Sequence, residues 1–233
     1  MIFVPAAGDG RRFKEAGYKT PKHLLPLLGT DMISLVIESV RPLDPEGDAF
    51  VITQDWVGKT AGAVDTVLKA WTRLSYRPPG DTTPNAYEHD PLVVANCDQL
   101  VDLSGIDKAA WGNGLVFTFP SNNPAHSYVT TDRRDRITGI VEKPQNPPTN
   151  KAVAGVYAFP IAIQFIEACL AVHGKQAEAL SAGHGEEYIS SALAKMIDWG
   201  YHLFAVDVPT AILGTPEDYQ RFVTAERIIE ARR

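Results

Sequence analysis

The 233-residue chain is poor in cysteine, in net positive charge and in long apolar runs. Its two cysteines, Cys97 and Cys169, are too few for the disulfide framework of a small secreted scaffold, so reduced thiols are expected. Lysine and arginine number 22 against 28 aspartates and glutamates, a formal charge of −6. That balance argues against a nucleic-acid partner and requires any phosphate affinity to be local. No uninterrupted apolar run reaches the roughly 18 residues that cross a bilayer, so no membrane partner is expected. The basic start and small-residue cleavage site of a secretory signal are also missing. A cytoplasmic protein is the expectation. With 45% hydrophobic and 21% charged residues, the composition suits one α/β domain with a substantial core.

The first 22 residues carry the densest signal. Met1–Val4 is apolar and predicts a buried first strand. It leads into the turn-prone Pro5-Ala6-Ala7-Gly8-Asp9-Gly10, then Arg11, Arg12 and Lys14, then Pro21-Lys22. Glycines let backbone N–H groups approach an anion, and nearby cations can close on it, so this order makes a phosphate cradle. A bare Gly-x-Gly is as often a plain turn. The string is not a P-loop, which needs Gly-Lys-Ser/Thr. Nor is it a dinucleotide-binding Gly-x-Gly-x-x-Gly, because Phe13 holds the third glycine position. Gly8-x-Gly10-x-Arg12-Phe13 followed by Pro21-Lys22 resembles the signature of the sugar-1-phosphate nucleotidylyltransferase family. The resemblance implies a Rossmann-like three-layer α/β/α sandwich with a mainly parallel sheet. It also implies nucleotide binding by Ala6, Ala7, Gly8, Gly10, Arg12 and Lys22.

Further along, Asp31 reads as the N-cap of a helix through Val40, and Ala49–Thr53 as a second strand. His23 has no evident partner and reads as structural or exposed. Thr60-Ala61-Gly62-Ala63 resembles the family's base-binding turn, which implies base contacts from Thr60, Gly62 and Ala63. A glycine there would let a flat base lie against backbone. The plainer alternative is a helix start with Gly62 at the N-cap. The family usually places a helix and an edge strand before this turn, and here only Gln54–Lys59 intervenes. One edge helix–strand unit is therefore expected to be absent, a smaller loss than a central strand. Tyr76–Asp90 is a loop rich in Pro, Gly, Asp and Thr, a flap or a surface excursion, with Tyr76 and Tyr87 as packing anchors.

Pro91–Ala95 is wholly apolar, as expected of a buried parallel strand, and ends in Asn96-Cys97-Asp98-Gln99. Ligands gather at the carboxyl ends of strands in open α/β sheets. The string resembles the family's metal-binding aspartate motif and implies Asp98 as a Mg²⁺ ligand; a helix-capping aspartate is the alternative. Cys97 reads as a small buried residue. Gly114–Phe119 reads as a strand, and Ser127–Thr131 with Ile137–Glu142 as a hairpin. Glu142-Lys143-Pro144 resembles the family's Glu-Lys-Pro motif, and Ala154-Gly155-Val156-Tyr157-Ala158-Phe159 its sugar-pocket strand. These imply acceptor contacts from Glu142, Lys143, Gly155 and Tyr157, and more loosely from Ser127 and Tyr128; His126 reads as structural. Glu186-Glu187-Tyr188 reads as opening a helix through Trp199, its acids complementing the N-terminal dipole or meeting the acceptor. Many family members carry an aspartate two residues before the Gly214-Thr215 pair, where this chain has Ile212. Either Asp207 supplies the second metal ligand, or Asp98 and phosphates alone hold the metal. Thr215 reads as the N-cap of the last helix.

The resemblance implies transfer of a nucleotidyl group from CTP, UTP or dTTP to a sugar 1-phosphate or another phosphorylated small molecule, with Mg²⁺. Arg12, Lys22 and Lys143 would be the catalytic cations. Residues 1–100 would bind nucleotide and 101–233 the acceptor, within one domain. A nucleotide-sugar-dependent glycosyltransferase and a non-catalytic nucleotide-sensing module stay open as alternatives. Oligomeric state is not legible.

Overall fold

Strand β1 (Ile2–Pro5) separates the two sides of the core in the computed structural model, which describes residues 1–78, 85–106, 114–173 and 187–230. Side chains alternate across a strand. Met1 and Phe3 therefore enter one buried cluster, and Ile2 and Val4 the opposite one. The first cluster is closed by helices α4 (Ala63–Leu74), α5 (Ala162–Val172) and α6 (Ile189–Asp198). The second is closed by α2 (Met32–Val40), which buries Ile33, Val36 and Val40 at helical spacing. Asp31 caps α2 as expected, its carboxylate accepting from the Ser34 amide at 2.9 Å.

Five strands follow β1 in the main sheet path: β4 (Ala49–Ile52), β5 (Leu92–Ala95), β7 (Gly114–Pro120), β10 (Lys151–Phe159) and β11 (Leu203–Asp207). Their spatial order is β11-β7-β10-β5-β1-β4. β1 pairs in parallel with β4 and β5, and β11 with β7; β10 alone on this path runs antiparallel to its neighbours. The carboxyl ends of β1, β4, β5, β7 and β11 consequently lie along one edge of the sheet. A hairpin of β8 (Tyr128–Thr131) and β9 (Ile137–Val141) attaches to β10. This is the three-layer, mainly parallel architecture expected from the sequence.

β4 ends the sheet, and among the described residues no strand pairs with its outer side. Only one helical turn, α3 (Gln54–Val57), and a short loop connect it to α4. Phe50 on β4 is covered by the stacked Trp56 and the edge-on Tyr87. Tyr87 is thus the packing anchor expected of it, whereas Tyr76 is 67% exposed just beyond α4 and anchors nothing of the core. Residues 79–84 of the predicted loop lie outside the described residues.

Two ribbons escaped the sequence reading. β2 (Pro26–Leu27) pairs with β3 (Thr30–Asp31), and β6 (Gln99–Val101) with β12 (Thr210–Ile212). At two or three residues a strand is too short for period-2 patterning to register. The last helix, α7 (Pro216–Glu230), starts at its expected cap, where Thr215 Oγ1 accepts from the Asp218 amide at 3.1 Å. Its Tyr219 donates to the Pro26 carbonyl at 2.6 Å and packs with Phe13, Leu25, Leu27 and Met32. The segment carrying Lys22 is thereby fixed between β1 and the C-terminal helix. Among the described residues, no helix is long and apolar enough to cross a membrane.

Candidate active site

The first loop leaves β1 and turns at Gly10, which adopts φ 59°, a left-handed conformation that favours glycine. Helix α1 (Arg11–Glu15) follows, with the Gly10 carbonyl accepting from the amides of Phe13 and Lys14. Phe13 is buried, so Arg12 beside it is turned outward. Gln54, the first residue of α3, holds the loop from the other side. Its Nε2 donates to the Ala7 carbonyl at 2.7 Å and to Asp9 Oδ1 at 2.8 Å. Ala6 joins the sheet through a 2.8 Å bond to the Ile52 carbonyl, while Gly8 is exposed. Gln54 was not foreseen, because a lone glutamine on a four-residue helix carries no sequence signal.

Lys22 and Asp98 meet at the centre. Lys22 Nζ lies 2.8 Å from Asp98 Oδ2, and the two side chains are 22% and 17% exposed. Burial pulls the Lys22 ammonium pKa down, but Cys97 and the Asp98 carboxylate outweigh it, and the net shift is upward. Burial in turn raises the Cys97 thiol above its ordinary value, against the opposing charge of Lys22. The charge of Arg12 opposes the rise at Lys22.

Asp98 sits where β5 passes into β6. Its carbonyl accepts from the Leu213 amide at 2.8 Å, and a Cβ added to Gly214 would lie 3.1 Å from Oδ2. Backbone without a side chain therefore borders this carboxylate. Ile212 pairs with Gln99 in the β6–β12 ribbon. Asp207 is elsewhere. It ends β11, three positions from β5 in the sheet, about 14 Å at ~4.8 Å per strand. There Lys151 binds it at 2.8 Å and the Thr118 hydroxyl donates to it. Of the two alternatives for the metal, the one that pairs Asp207 with Asp98 is thus corrected, because β7 and β10 stand between them. Among the described residues, no group of three or more His, Cys, Asp and Glu side chains could hold a metal. One carboxylate, already carrying a cation in Lys22, fits Mg²⁺ only if phosphate oxygens complete its shell.

Of the residues expected to meet an acceptor, Ser127, Glu142 and Lys143 form a second cluster with Tyr188 and Ser190. Glu142 Oε2 accepts from Ser127 at 2.5 Å and from Ser190 at 2.6 Å. Lys143, at φ 43°, donates to the Tyr188 phenol at 2.7 Å, with its Nζ 4.1 Å from the ring centroid. Tyr157 is buried, and burial with the Glu142 charge raises its phenol pKa. Gly155 adopts φ 69°, and a Cβ there would fall 1.6 Å from Gln99 Oε1 and 2.4 Å from Asn96 Nδ2. Its missing side chain makes room for two amides that flank Asp98. Tyr128, expected to face an acceptor, is fully buried and donates to the Asn123 carbonyl at 2.8 Å. Its neighbour Val129 is fully buried as well, so this end of the strand is covered on both faces and Tyr128 meets protein, not an acceptor.

The turn at Thr60–Ala63 is braced from α4. Asp65 accepts from the Ala61 amide at 2.8 Å and from Lys69 at 3.0 Å, while Thr66 donates to Thr60 and to the Gly62 carbonyl. Gly62 is the helix N-cap, as the plainer alternative had it. A Cβ there would lie 2.5 Å from the Glu187 nitrogen, so the glycine accommodates protein backbone on that side, not a base. Glu187 itself precedes α6 and is buried against His173 at 3.0 Å. The expected dipole role is therefore corrected for Glu187, and Glu186 lies outside the described residues.

Comparison with known proteins agrees with this fold. Residues 89–206 match the sequence model of a family described as Nucleotidyl transferase. The low-salt glycan biosynthesis nucleotidyltransferase Agl11 of Haloferax volcanii is 22% identical over 231 residues, covering 91% of this chain and 62% of that protein. The bifunctional protein GlmU of Pseudomonas putida is 27% identical over 184 residues, covering 69% of this chain and 38% of its own length. The chain thus spans only part of the length of these curated relatives. The crystal structure of a nucleoside-diphosphate-sugar pyrophosphorylase from Vibrio cholerae RC9 superposes with a TM-score of 0.79 at 19% identity, over 96% of this chain and 100% of that one. A UDP-glucose pyrophosphorylase complexed with UDP-glucose gives 0.70 at 17% identity, covering 97% of each chain. Both likenesses establish the fold.

Proposed function

The chain belongs to the nucleotidyl transferase family, and from that premise we propose that it transfers a nucleoside monophosphate group from a nucleoside triphosphate to a phosphorylated small molecule. A sugar 1-phosphate is the acceptor class favoured by the relatives' descriptions, and CTP, UTP and dTTP are the donors to test first. A non-bridging oxygen of the acceptor phosphate attacks the α-phosphorus. The bond from that phosphorus to the α,β-bridging oxygen breaks, and pyrophosphate leaves. The nucleophile is already anionic, so catalysis rests on alignment and charge stabilisation.

The loop Ala6–Gly10 borders the triphosphate, and Arg12 neutralises its β- and γ-phosphates. Lys22 turns from Asp98 to the α-phosphate, where charge builds in the transition state. Lys143 holds the acceptor phosphate in line, and Glu142 and Ser127 contact acceptor hydroxyls. Thr60 and Ala63 line the base side. Asp98 is the residue that would hold Mg²⁺, which when bound clamps the triphosphate and stabilises negative charge on it. Residues 1–100 serve the nucleotide and 101–233 the acceptor.

The observation that carries this reading is the Lys22–Asp98 contact at the carboxyl edge of the sheet, with Lys22 beside Gly10 of the first loop. The test is pyrophosphate release with Mg²⁺ across a matrix of nucleoside triphosphates and phosphorylated acceptors. Release that requires one acceptor and falls at least a hundredfold in Lys22→Ala, with an unchanged circular dichroism spectrum, is the expected result. Near-normal turnover of Lys22→Ala would remove that lysine from the mechanism.

A further inference from the structure

We infer that the four residues Glu187–Ser190 couple the nucleotide turn to the acceptor cluster, with Tyr188 and Ser190 acting as positioning residues for Lys143 and Glu142. The inference rests on the roles proposed above for those two clusters.

Three contacts within one short stretch carry it. Glu187 pairs with the turn through backbone on both sides: its amide donates to the Ala61 carbonyl at 3.1 Å, and its carbonyl accepts from the Val64 amide at 3.2 Å. Gly62 and Glu187 face each other as an isolated parallel bridge. One residue on, the Tyr188 phenol accepts from Lys143 at 2.7 Å. Two residues further, the Ser190 hydroxyl donates to Glu142 at 2.6 Å.

The stretch has little freedom to absorb a displacement. Consecutive Cα atoms are fixed at about 3.8 Å apart. Glu187 is 2% exposed, its carboxylate held by His173 at the end of α5, and Ser190 is buried in the first turn of α6. Movement of the Thr60–Ala63 turn must therefore shift Tyr188 and Ser190, and with them the groups that orient Lys143 and Glu142. Lys143 gains most from such support, because its φ of 43° is strained for a residue with a side chain. Coupling of this kind is reciprocal: a filled nucleotide turn favours the acceptor, and an acceptor favours the nucleotide.

Two experiments test the inference. The first reads Lys143 directly, in protein whose lysines carry ¹³C-methyl groups, with the Lys143 signal identified by its loss in Lys143→Arg. The Tyr188 ring beneath the ammonium gives that signal a ring-current shift. Gly62→Ala, whose Cβ would meet Glu187 backbone, should move the signal toward that of an ordinary exposed lysine. Millimolar cytidine, uridine or thymidine added to the unaltered protein should also move it; these nucleosides lack phosphates that could touch Lys143. If Gly62→Ala fails to fold, the nucleoside titration decides. A Lys143 signal unmoved while the Thr60–Ala63 amides shift overturns the coupling.

The second experiment is kinetic. Tyr188→Phe keeps the ring and removes the phenol oxygen. It should raise the acceptor KM about fivefold and leave triphosphate binding in the absence of acceptor unchanged, and Ser190→Ala should do the same. An unchanged acceptor KM in both overturns the positioning roles. Absence of pyrophosphate release with every acceptor would sink the transferase reading alone, because the Lys143 signal is read without turnover.

Discussion

Replacing Lys22 by methionine should strengthen the binding of a bare divalent cation and weaken the binding of a metal–nucleotide complex. Methionine is similarly long and unbranched but uncharged. In the free protein the Lys22 ammonium occupies Asp98 Oδ2 at 2.8 Å, in a pair only about one-fifth exposed. A divalent ion approaching that carboxylate must displace the ammonium or sit beside it. Breaking a charge-assisted hydrogen bond of this kind costs about 1.5–3 kcal/mol net. At about 1.4 kcal/mol per factor of ten, its removal should tighten bare-cation binding roughly 10- to 150-fold. The nucleotide complex should respond in the opposite direction, because Lys22 then faces the α-phosphate. Binding is read with Mn²⁺, whose free form is counted by electron paramagnetic resonance, with and without triphosphate. Equal or weaker Mn²⁺ binding by free Lys22→Met would refute the competition between ammonium and metal for Asp98. Changes of the same sign in both titrations would refute the proposed move of Lys22 between carboxylate and phosphate.

Other expectations follow from local geometry. Gly155→Ala places a Cβ 1.6 Å from Gln99 Oε1 at a positive φ, so it should cost roughly 1–3 kcal/mol and lower Tm by about 5 °C. A Tm unchanged within 1 °C, on the order of measurement error, would show that Asn96 and Gln99 yield freely. The pH dependence of stability should have two steps. His23 is held below its ordinary value of 6.5 by burial and then by Lys22, against Asp31; burial does the same for His126, against Asp218. Each binds a proton more readily when unfolded, so stability falls as pH drops below 6.5. Asp31, lowered by its Ser34 hydrogen bonds, and Asp132, lowered by the Arg134 amide, stabilise above their unfolded value of 3.8, and that contribution is lost below it. Urea midpoints measured from pH 7.5 to 3 should show both losses, and a flat curve between pH 7 and 5 would contradict the histidine assignment.

Much of the fold was legible because its elements carry local chemistry. Apolar runs marked β1 and β5, Asp31 and Thr215 marked their helix starts, and alternation marked the β8–β9 hairpin. The cradle was legible for the same reason: Gly10 must be small where the chain turns left-handed, and Phe13 must be apolar where it enters the core. These demands act within a few residues, so sequence records them. Strand order, and everything that depends on it, does not act locally. Asp207 follows an apolar strand just as Asp98 does, and only the insertion of β7 and β10 between them separates the two. Tyr128 and Tyr157 are both tyrosines on strands, and only the packed structure shows that both are buried and that the first spends its hydroxyl on the Asn123 carbonyl. Gly62 looks like a place for a base until Glu187, 125 positions away in the chain, fills the space where its side chain would be. Sequence alone determined the longer sheet-forming runs, the caps and the left-handed turn at Gly10, since each answers to its own neighbours. Tertiary structure decided which carboxylate meets Lys22, which tyrosine holds Lys143 and what Gly62 makes room for, because those pairings join residues that only the packed sheet brings together.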